Sequence, residues 1–171
     1  ASSSNGLYAG GYFWKAGDKA ANSIAEWQDS SWSALSSGMY LFDGHGVSAI
    51  VSSGDVVYAG GTFTKAGGVA VLNVAEWDGM EWIPMNKGLN NTINAMVLYN
   101  GQLYAAGNFD SAGTEQVNHI AEWDGTDWVS VGGGTDGNVN TLCVYNDELY
   151  AGGSFTKAGS QPARGIAKDR K

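Results

Sequence analysis

The side chains best suited to chemistry are few in this sequence and lie far apart. The two histidines, His45 and His119, stand in different segments, and neither has further ligands at metal-like spacing. Asp43 beside His45 would supply two ligands, whereas protein zinc sites use three or four. Cys143, the single cysteine, lies in an apolar run, where a buried thiol is inert. We therefore predict no metal, no cofactor and no enzymatic activity.

One glutamate recurs at regular positions and is the remaining catalytic candidate. Glu26, Glu76 and Glu122 each stand in an Ala-Glu-Trp string. Paired carboxylates hydrolyse glycosidic bonds when they face each other at a suitable separation. These three instead occur once per repeat of the sequence. They are therefore predicted to be structural partners of the backbone or of a neighbouring repeat.

The glutamates belong to a repeat that organises the whole chain. Its clearest marker is a tyrosine in a Tyr-Ala-Gly-Gly-like string, and successive markers are separated by 50, 46 and 46 residues: Tyr8, Tyr58, Tyr104 and Tyr150. The four extra residues of the first interval are assigned to an insertion in residues 39–46. In the third repeat, four runs of strand length occupy residues 93–99, 103–109, 120–123 and 128–131. Each repeat is thus predicted to form a four-stranded antiparallel meander.

Glycines indicate where these meanders turn and where they are approached closely. Asn100 and Gly101 form the pair typical of a two-residue type I′ turn, in which both residues need a positive φ. The twin glycines in the second run, Gly60-Gly61 and Gly152-Gly153, weaken a strand and predict close approach of another backbone or side chain. We expect a large ring from the neighbouring repeat to lie there.

A single meander of about 46 residues cannot bury both faces, whereas radially stacked copies form the blades of a β-propeller. The pattern resembles the kelch repeat, in the compact variant of kelch-type and fungal cortical polarity-marker propellers. The matching residues are Tyr58, Gly60, Gly61, Trp77, Asp78 and Trp82, with counterparts Tyr104, Gly107, Trp123, Asp124 and Trp128. Tryptophan replaces the usual kelch tyrosine, Ala106 replaces one glycine, and the last repeat ends in Lys168-Asp169-Arg170-Lys171. The resemblance implies a fold, but such propellers serve as binding platforms, scaffolds and enzymes.

We predict an all-β fold built of four-stranded antiparallel blades of a β-propeller, two of them complete and two incomplete. The complete blades span residues 47–88 and 93–134, and the incomplete ones span residues 7–38 and 139–171. Known propellers contain about four to eight blades. The chain is therefore expected to be part of a longer one, or a subunit whose ring is completed by further copies. Open edges and faces predict that it is not a stable isolated monomer.

Aromatic residues fall into a periodic set and an irregular set. Six periodic tryptophans are predicted to form the core between blades: Trp27, Trp77, Trp123, Trp32, Trp82 and Trp128. Trp14 stands at the position of Thr64 and Thr156, which favours a surface position. The insertion adds an aromatic loop above a rigid scaffold. The predicted binding surface comprises Trp14, Tyr40, Phe42, Asp43 and His45; alternatively, Tyr40 and Phe42 cap the blade edge.

Composition narrows the possible partners. The net charge of −8, from 9 basic and 17 acidic residues, gives no electrostatic footprint for nucleic acid. No run approaches the ~20 apolar residues of a membrane span. Scarce lysine and cysteine with abundant serine, asparagine and glycine favour an extracellular or cell-surface location. The expected function is a non-enzymatic structural or protein-binding module of a larger assembly, whose partner is a protein or further copies of itself. The alternative is a carbohydrate-binding, lectin-like propeller.

Overall fold

The computed structural model describes residues 1, 6–40 and 46–169. These residues form strands, turns and loops, and none is helical. No helix in this described part of the chain is therefore long and apolar enough to cross a membrane. The chain divides into two compact units, Ala1–Met85 and Asn86–Lys171.

The first unit contains two larger sheets and two small ones. Its strands are β1 (Leu7–Gly10), β2 (Lys15–Ala16), β3 (Lys19–Ala20), β4 (Ile24–Gln28), β5 (Ser31–Ala34), β6 (Met39–Tyr40), β7 (Val47–Ser53), β8 (Val56–Gly61), β9 (Lys65–Ala66), β10 (Val69–Ala70), β11 (Val74–Trp77) and β12 (Trp82–Pro84). The larger sheets have the orders β1-β4-β5 and β12-β11-β8-β7, and the small ones β10-β9-β6 and β2-β3. All pairs are antiparallel.

The second unit also contains two larger sheets and two small ones. Its strands are β13 (Ile93–Tyr99), β14 (Gln102–Gly107), β15 (Ser111–Ala112), β16 (Glu115–Gln116), β17 (Ile120–Trp123), β18 (Trp128–Ser130), β19 (Val139–Tyr145), β20 (Glu148–Gly153), β21 (Lys157–Ala158), β22 (Gln161–Pro162) and β23 (Ile166–Lys168). The larger sheets have the orders β13-β14-β17-β18 and β19-β20-β23, and β15-β16 and β21-β22 are separate hairpins.

The predicted all-β class and the predicted four-stranded meander are confirmed, and strands β13 and β17 have the bounds expected from sequence. Asn100 and Gly101 turn the chain between β13 and β14 with φ of 52° and 80°, as a type I′ turn requires. The long loop after β14 contains the hairpin β15-β16, which the sequence pattern did not indicate. Arrangement of the sheets as propeller blades stays a prediction.

Each unit buries its core between its two larger sheets. In the first unit, Tyr8, Ile24 and Leu35 of the first sheet and its exit share a cluster with Val57 and Trp82 of the second. In the second unit, an equivalent cluster joins residues of β14 and β17 to residues of β20: Tyr104, Ala106, Ile120, Leu149 and Ala151. One face of each leading sheet therefore packs on the opposite face of the sheet that follows it.

The predicted ring against the twin glycines is wrong. A Cβ on Gly61 would lie 2.0 Å from the carbonyl oxygen of Gly46, which immediately precedes the first strand of the same sheet. Gly107 and Gly153 meet the carbonyls of Thr92 and Asn138 at 2.1 Å in the same way. The register shift at the start of each first strand brings this backbone close. Glycine is thus required by backbone within one sheet.

Gly10, the repeat counterpart of Gly60, has a different neighbour. A Cβ on Gly10 would lie 2.5 Å from Val47 Cγ1 and 2.7 Å from Ile50 Cδ1, both on the next sheet. The group that approaches Gly10 is therefore aliphatic, because β7 presents branched side chains to β1 at this point.

The six tryptophans are not a uniform core. Trp82 and Trp128 are buried, Trp77 and Trp123 are half-buried, and Trp27 is 39% exposed. The run-four tryptophan of each pair packs at an inclined angle against its run-three neighbour, with 5.3–5.4 Å between ring centres. The buried rings of Trp82 and Trp128 thus fill the core, while the half-buried rings of Trp77 and Trp123 cover them.

Candidate functional site

An exposed aromatic pair stands on the loop between β1 and β2. Trp14 is 65% exposed, which confirms its predicted surface position, and its ring lies 4.9 Å from that of Tyr12 between centres. The Trp14 carbonyl accepts a hydrogen bond from Ala21 N–H, so the loop is tied to the far side of its small hairpin. Tyr12 was not selected from the sequence, although it differs from its repeat counterparts Thr62 and Asn108. Trp14 differs from its own counterparts in the same way.

Tyr40 lies at the same end of its unit as the loops between second and third strands, as predicted. Its carbonyl accepts from Thr64 N–H at 3.2 Å, and it pairs with Lys65 in the β6–β9 ladder. The ring is 63% exposed, with Lys65 Nζ 5.8 Å from its centre. Its backbone therefore caps the sheet edge, while its ring remains available for contact. Phe42, Asp43 and His45 fall outside the described residues.

The position of Tyr40 shows where the insertion begins. Tyr40 is the repeat counterpart of Asn90 and Asp136. These two residues accept the equivalent backbone hydrogen bonds with side-chain oxygens, whereas Tyr40 uses its carbonyl. Asn90 Oδ1 accepts from the N–H groups of Asp110 and Ser111. Met39 also keeps a regular contact, with its N–H on Asn22 O. Met39 and Tyr40 thus belong to the repeat, and the inserted residues fall within 41–45.

Asp136 is the most strongly perturbed carboxylate among the described residues. Its Oδ1 accepts from Thr156 N–H and Lys157 N–H, both at 2.7 Å, and its Oδ2 accepts from the Thr156 hydroxyl at 2.6 Å. The Thr156 hydroxyl, followed by the two backbone N–H groups, lowers the pKa of Asp136 to about 2. All these acceptor contacts are satisfied within the fold, so this charge has a structural task.

The repeated glutamates have structural partners, but a tyrosine of the adjacent strand replaces the predicted backbone or neighbouring repeat. Tyr8 Oη donates to Glu26 Oε1 at 2.9 Å, and Tyr104 Oη donates to Glu122 at 2.7 Å. Each tyrosine stands directly opposite its glutamate in the sheet register. Glu76 likewise stands opposite Tyr58 in the sheet register, and burial, followed by Asp78, raises the pKa of Glu76. One carboxylate per sheet, bound to a phenol, does not form a paired acid–base site.

The last repeat keeps the tyrosine–carboxylate pair, but a lysine stands opposite the tyrosine. Lys168 stands opposite Tyr150 in the register, where the other repeats have glutamate. Tyr150 Oη instead donates to Glu148 at 2.7 Å, and Glu148 forms an ion pair with Lys168. The phenol thus keeps a carboxylate partner, which in this repeat lies on the same strand as the tyrosine.

His119 lies in a left-handed turn position, and Cys143 lies on a strand. His119 has φ of 71° and occupies a position that is left-handed in all four repeats, with counterparts Ser23, Asn73 and Gly165. Its N–H donates to Phe109 O and its carbonyl accepts from Gly107 N–H. The predicted burial of Cys143 is wrong, because β19 directs it to an exposed face. Across the described residues, no group of three or more His, Cys, Asp and Glu side chains could hold a metal ion.

The second unit contains an open apolar groove of about 500 Å³. It lies between its two larger sheets, beside β23. Its apolar lining includes residues of both sheets and of the β21-β22 segment: Ile120, Val131, Leu149, Ala151, Ala163 and Ala167. The groove was not predicted, because the residues that line it come from separate strands and meet only in the folded unit.

The terminal sheets expose positions that the inner sheets bury. Ile166 on β23 is 64% exposed, whereas its repeat counterparts Val74 and Ile120 on the inner sheets are 0% and 6% exposed. Leu7 on β1 is likewise exposed, whereas its counterpart Val57 is fully buried.

In comparisons with known proteins, no family model matches the chain, and no curated protein matches it at a significant level.

Proposed function

We propose that the chain is a non-enzymatic, protein-binding module made of kelch-like β-propeller blades, in a larger extracellular or cell-surface assembly. Its partner is a protein or a further copy of the same chain. The observation that supports this proposal is the exposure of Ile166 and Leu7, at positions whose counterparts are core residues. Apolar surface of this kind on a terminal repeat favours association.

The first unit provides the pattern for such a contact. There, Val57 and Trp82 of one sheet cluster with Tyr8 and Ile24 of the preceding sheet. Their counterparts on the terminal faces are Leu7 and Trp32 on one side, and Tyr150 and Ile166 on the other. Leu7 and Ile166 are exposed, and Trp32 and Tyr150 are half-buried. A head-to-tail contact between two copies would therefore join side chains of the same types. Such heterologous contacts form rings or open filaments.

Sedimentation velocity of the 171-residue chain across the micromolar range tests the proposal. We expect concentration-dependent association that Ile166→Asp abolishes. Met80→Asp is the matched control, because Met80 is an exposed apolar residue in a turn of an inner sheet. A single monomeric species at every concentration that also unfolds cooperatively would contradict open binding faces.

A carbohydrate-binding module is the second candidate, and the Tyr12–Trp14 pair favours it. Exposed aromatic rings can bind the apolar face of a sugar. We expect a glycan array probed with the wild-type chain and with Trp14→Ala to differ if sugars bind here. Absence of any glycan signal, or equal signals from both proteins, would argue against this candidate.

A further inference from the structure

The loops that follow the second strand of each repeat share one backbone scaffold. The Trp14 carbonyl accepts from Ala21 N–H at 2.8 Å. The same bond recurs in the other three repeats, from Val71 to Thr64, from Val117 to Asp110 and from Ala163 to Thr156. Thr64 belongs to an inner sheet and is exposed. Exposure of Trp14 is therefore a property of its loop position and does not depend on the place of its sheet in the chain.

The first repeat carries two exposed aromatic rings on this scaffold. Tyr12 and Trp14 are 55% and 65% exposed, and their ring planes are inclined at 58° with 4.9 Å between centres. Phe13 between them is half-buried, at the position where Phe63 of the next repeat is a core residue. The loop thus turns Phe13 inwards and the two neighbouring rings towards solvent. Such a pair of rings offers a stacking platform to the apolar face of a sugar.

A third exposed ring, Tyr40, lies nearby with a lysine against it. Lys65 stands opposite Tyr40 in the β6–β9 ladder, and its Nζ lies 5.8 Å from the ring centre. Gly46 connects this pair to the first two rings. A Cβ on Gly46 would lie 3.1 Å from Tyr12 N, and the Gly46 carbonyl accepts from Thr62 N–H at 3.1 Å. The aromatic pair and the tyrosine–lysine pair therefore stand on adjacent segments of the first unit.

Charge is unevenly distributed within the first unit. Its basic residues, Lys15, Lys19 and Lys65, are exposed and lie on the small strands β2, β3 and β9. Four exposed acidic residues occupy the turns β4–β5, β7–β8 and β11–β12: Asp29, Asp55, Asp78 and Glu81. Successive connections of an antiparallel meander emerge at opposite ends of the sheet, so these acids lie away from the lysines. Within residues 6–40 and 46–85, Asp18 is the one acidic residue among the loops at the lysine end.

Aromatic rings beside lysines suit an anionic partner, and the charge of the chain favours a narrow one. Exposed charges act over a Debye length of about 8–10 Å. A membrane presents an extended negative plane, which repels a chain of net charge −8. A glycan strand is narrow enough to contact the lysine end while the distant acidic turns are screened.

We propose that an acidic polysaccharide binds to a basic aromatic surface of the first unit, formed by Tyr12, Trp14, Lys15, Tyr40 and Lys65. The rings of the aromatic pair stack on pyranose units of the polysaccharide. The lysines pair with its carboxylate or sulfate groups, since an ammonium acts as a point charge and accepts either geometry. This inference rests on carbohydrate binding, the second candidate function, and specifies the class of sugar.

A hexasaccharide of galacturonic acid is the probe, and its fully methyl-esterified form is the matched neutral ligand with the same rings. Isothermal titration calorimetry against the 171-residue chain measures both affinities. The acid form should bind about fivefold more tightly or better, and high salt should remove the difference, because salt screens exposed charges. Sulfated maltohexaose is the second arm. Tighter binding than galacturonate assigns the site to sulfate and weaker binding assigns it to carboxylate, and either result supports an acidic sugar.

Variants of the surface separate the rings from the lysines. Trp14→Ala should weaken binding of both galacturonate ligands about tenfold, as for an aromatic anchor. Lys15→Gln combined with Lys65→Gln should weaken binding of the acid form about fivefold and leave the esterified form unchanged. Lys157→Gln is the matched control. Lys157 occupies the repeat position of Lys65 and is exposed, but its ladder neighbour is bound to the carboxylate of Asp136 in place of a ring.

Equal affinity of the wild-type chain for the acid and esterified forms would overturn the proposal, and this comparison needs no variant. Carbohydrate binding itself would survive that result if Trp14→Ala still weakened both affinities. Acid-form binding that Trp14→Ala leaves unchanged would show unspecific charge attraction and also overturn the proposal. Attachment to phosphatidylserine vesicles without binding of either hexasaccharide would assign the surface to a membrane instead. The protein-binding proposal is independent of these results, because Ile166→Asp tests it separately.

Discussion

Trp82 Nε1 donates a hydrogen bond of 3.1 Å to the backbone carbonyl of Leu35, which lies on the exit of the preceding sheet. This bond joins two consecutive repeats through a fully buried indole. Both partners lie in the core cluster of the first unit. The pair therefore stabilises the stacking of one sheet on the next as well as the sheet that carries Trp82.

Replacement of Trp82 by alanine should therefore lower the free energy of unfolding by about 3–5 kcal/mol, the usual cost of a large aromatic cavity. Trp77→Ala is the matched comparison within the same ring pair. It should cost about 1–2 kcal/mol, because Trp77 is half-buried and loses mainly one aromatic contact. Denaturant unfolding measures both values. Equal losses would show that Trp77 contributes as much to core packing as Trp82.

Two glycines of the third repeat should be intolerant of a side chain for different reasons. Gly107→Ala places a Cβ 2.1 Å from the Thr92 carbonyl, a clash with backbone that we expect to cost about 3 kcal/mol or more. Gly101→Ala meets nothing within 4 Å, and its cost, about 1–2 kcal/mol, comes from φ of 80° alone. Chemical denaturation of the two variants should give this order. The reverse order would mean that the bulge before β13 relaxes easily.

His119 should behave as a backbone position rather than as a ligand. His119→Asn should leave stability nearly unchanged, because Asn73 occupies the same left-handed position with φ of 64°. His119→Val should cost about 1–2 kcal/mol, because a β-branched residue resists that conformation. Thermal unfolding with and without added Zn²⁺ checks both variants. A zinc-dependent rise in the midpoint that His119→Asn removes would contradict the structural role.

Asp136 should make stability depend on pH in the acid range. Its pKa in the fold is about 2, below the ordinary value of 3.8, so its contribution is present above pH 3.8 and is lost as pH falls through about 2. Asp136→Asn should make the thermal midpoint less dependent on pH in this window. The amide should keep the backbone contacts, since Asn90 makes the equivalent ones without charge. Thr156→Val should raise the pKa of Asp136, which carboxyl NMR shifts can follow. An unchanged pKa in that variant would refute the role of the hydroxyl.

Much of the fold follows from sequence because its determinants are local. The strand bounds of β13 and β17 and the turn at Asn100 depend on residues that are neighbours in the chain. The ring expected against the twin glycines was wrong because the Gly46 carbonyl approaches through a register shift, which leaves no mark on hydrophobic periodicity. Likewise, sequence alone gives Trp123 and Trp128 equal weight. Only packing shows that Trp128 is buried and Trp123 half-buried.

The candidate site was less predictable for the same reason. Trp14 and Tyr40 could be selected as departures from the repeat, and both prove exposed. The groove could not be selected, because Val131 and Ala167, which line it, are brought together only by the packing of the two sheets.

The pairing of Lys168, Glu148 and Tyr150 allows an exchange with the third repeat. There, Gln102, Tyr104 and Glu122 occupy the corresponding positions, with the carboxylate on the neighbouring strand. Lys168→Glu alone should lower the thermal midpoint, because it removes the ion pair and places a second carboxylate beside Glu148. Adding Glu148→Gln should restore the midpoint by recreating the third-repeat arrangement.

The pKa of Tyr150 separates this exchange from a general surface-charge effect. The hydrogen bond to Glu148 is the main cause that raises it, followed by burial. Glu148→Gln alone should bring the pKa back towards its ordinary value, because a neutral amide replaces the carboxylate. The double variant should raise it again, since the phenol regains a carboxylate from the opposite strand. NMR titration of labelled tyrosine measures each value. A midpoint restored without a restored pKa would mean that relief of charge repulsion, and not the tyrosine–carboxylate pair, stabilises this edge of the sheet.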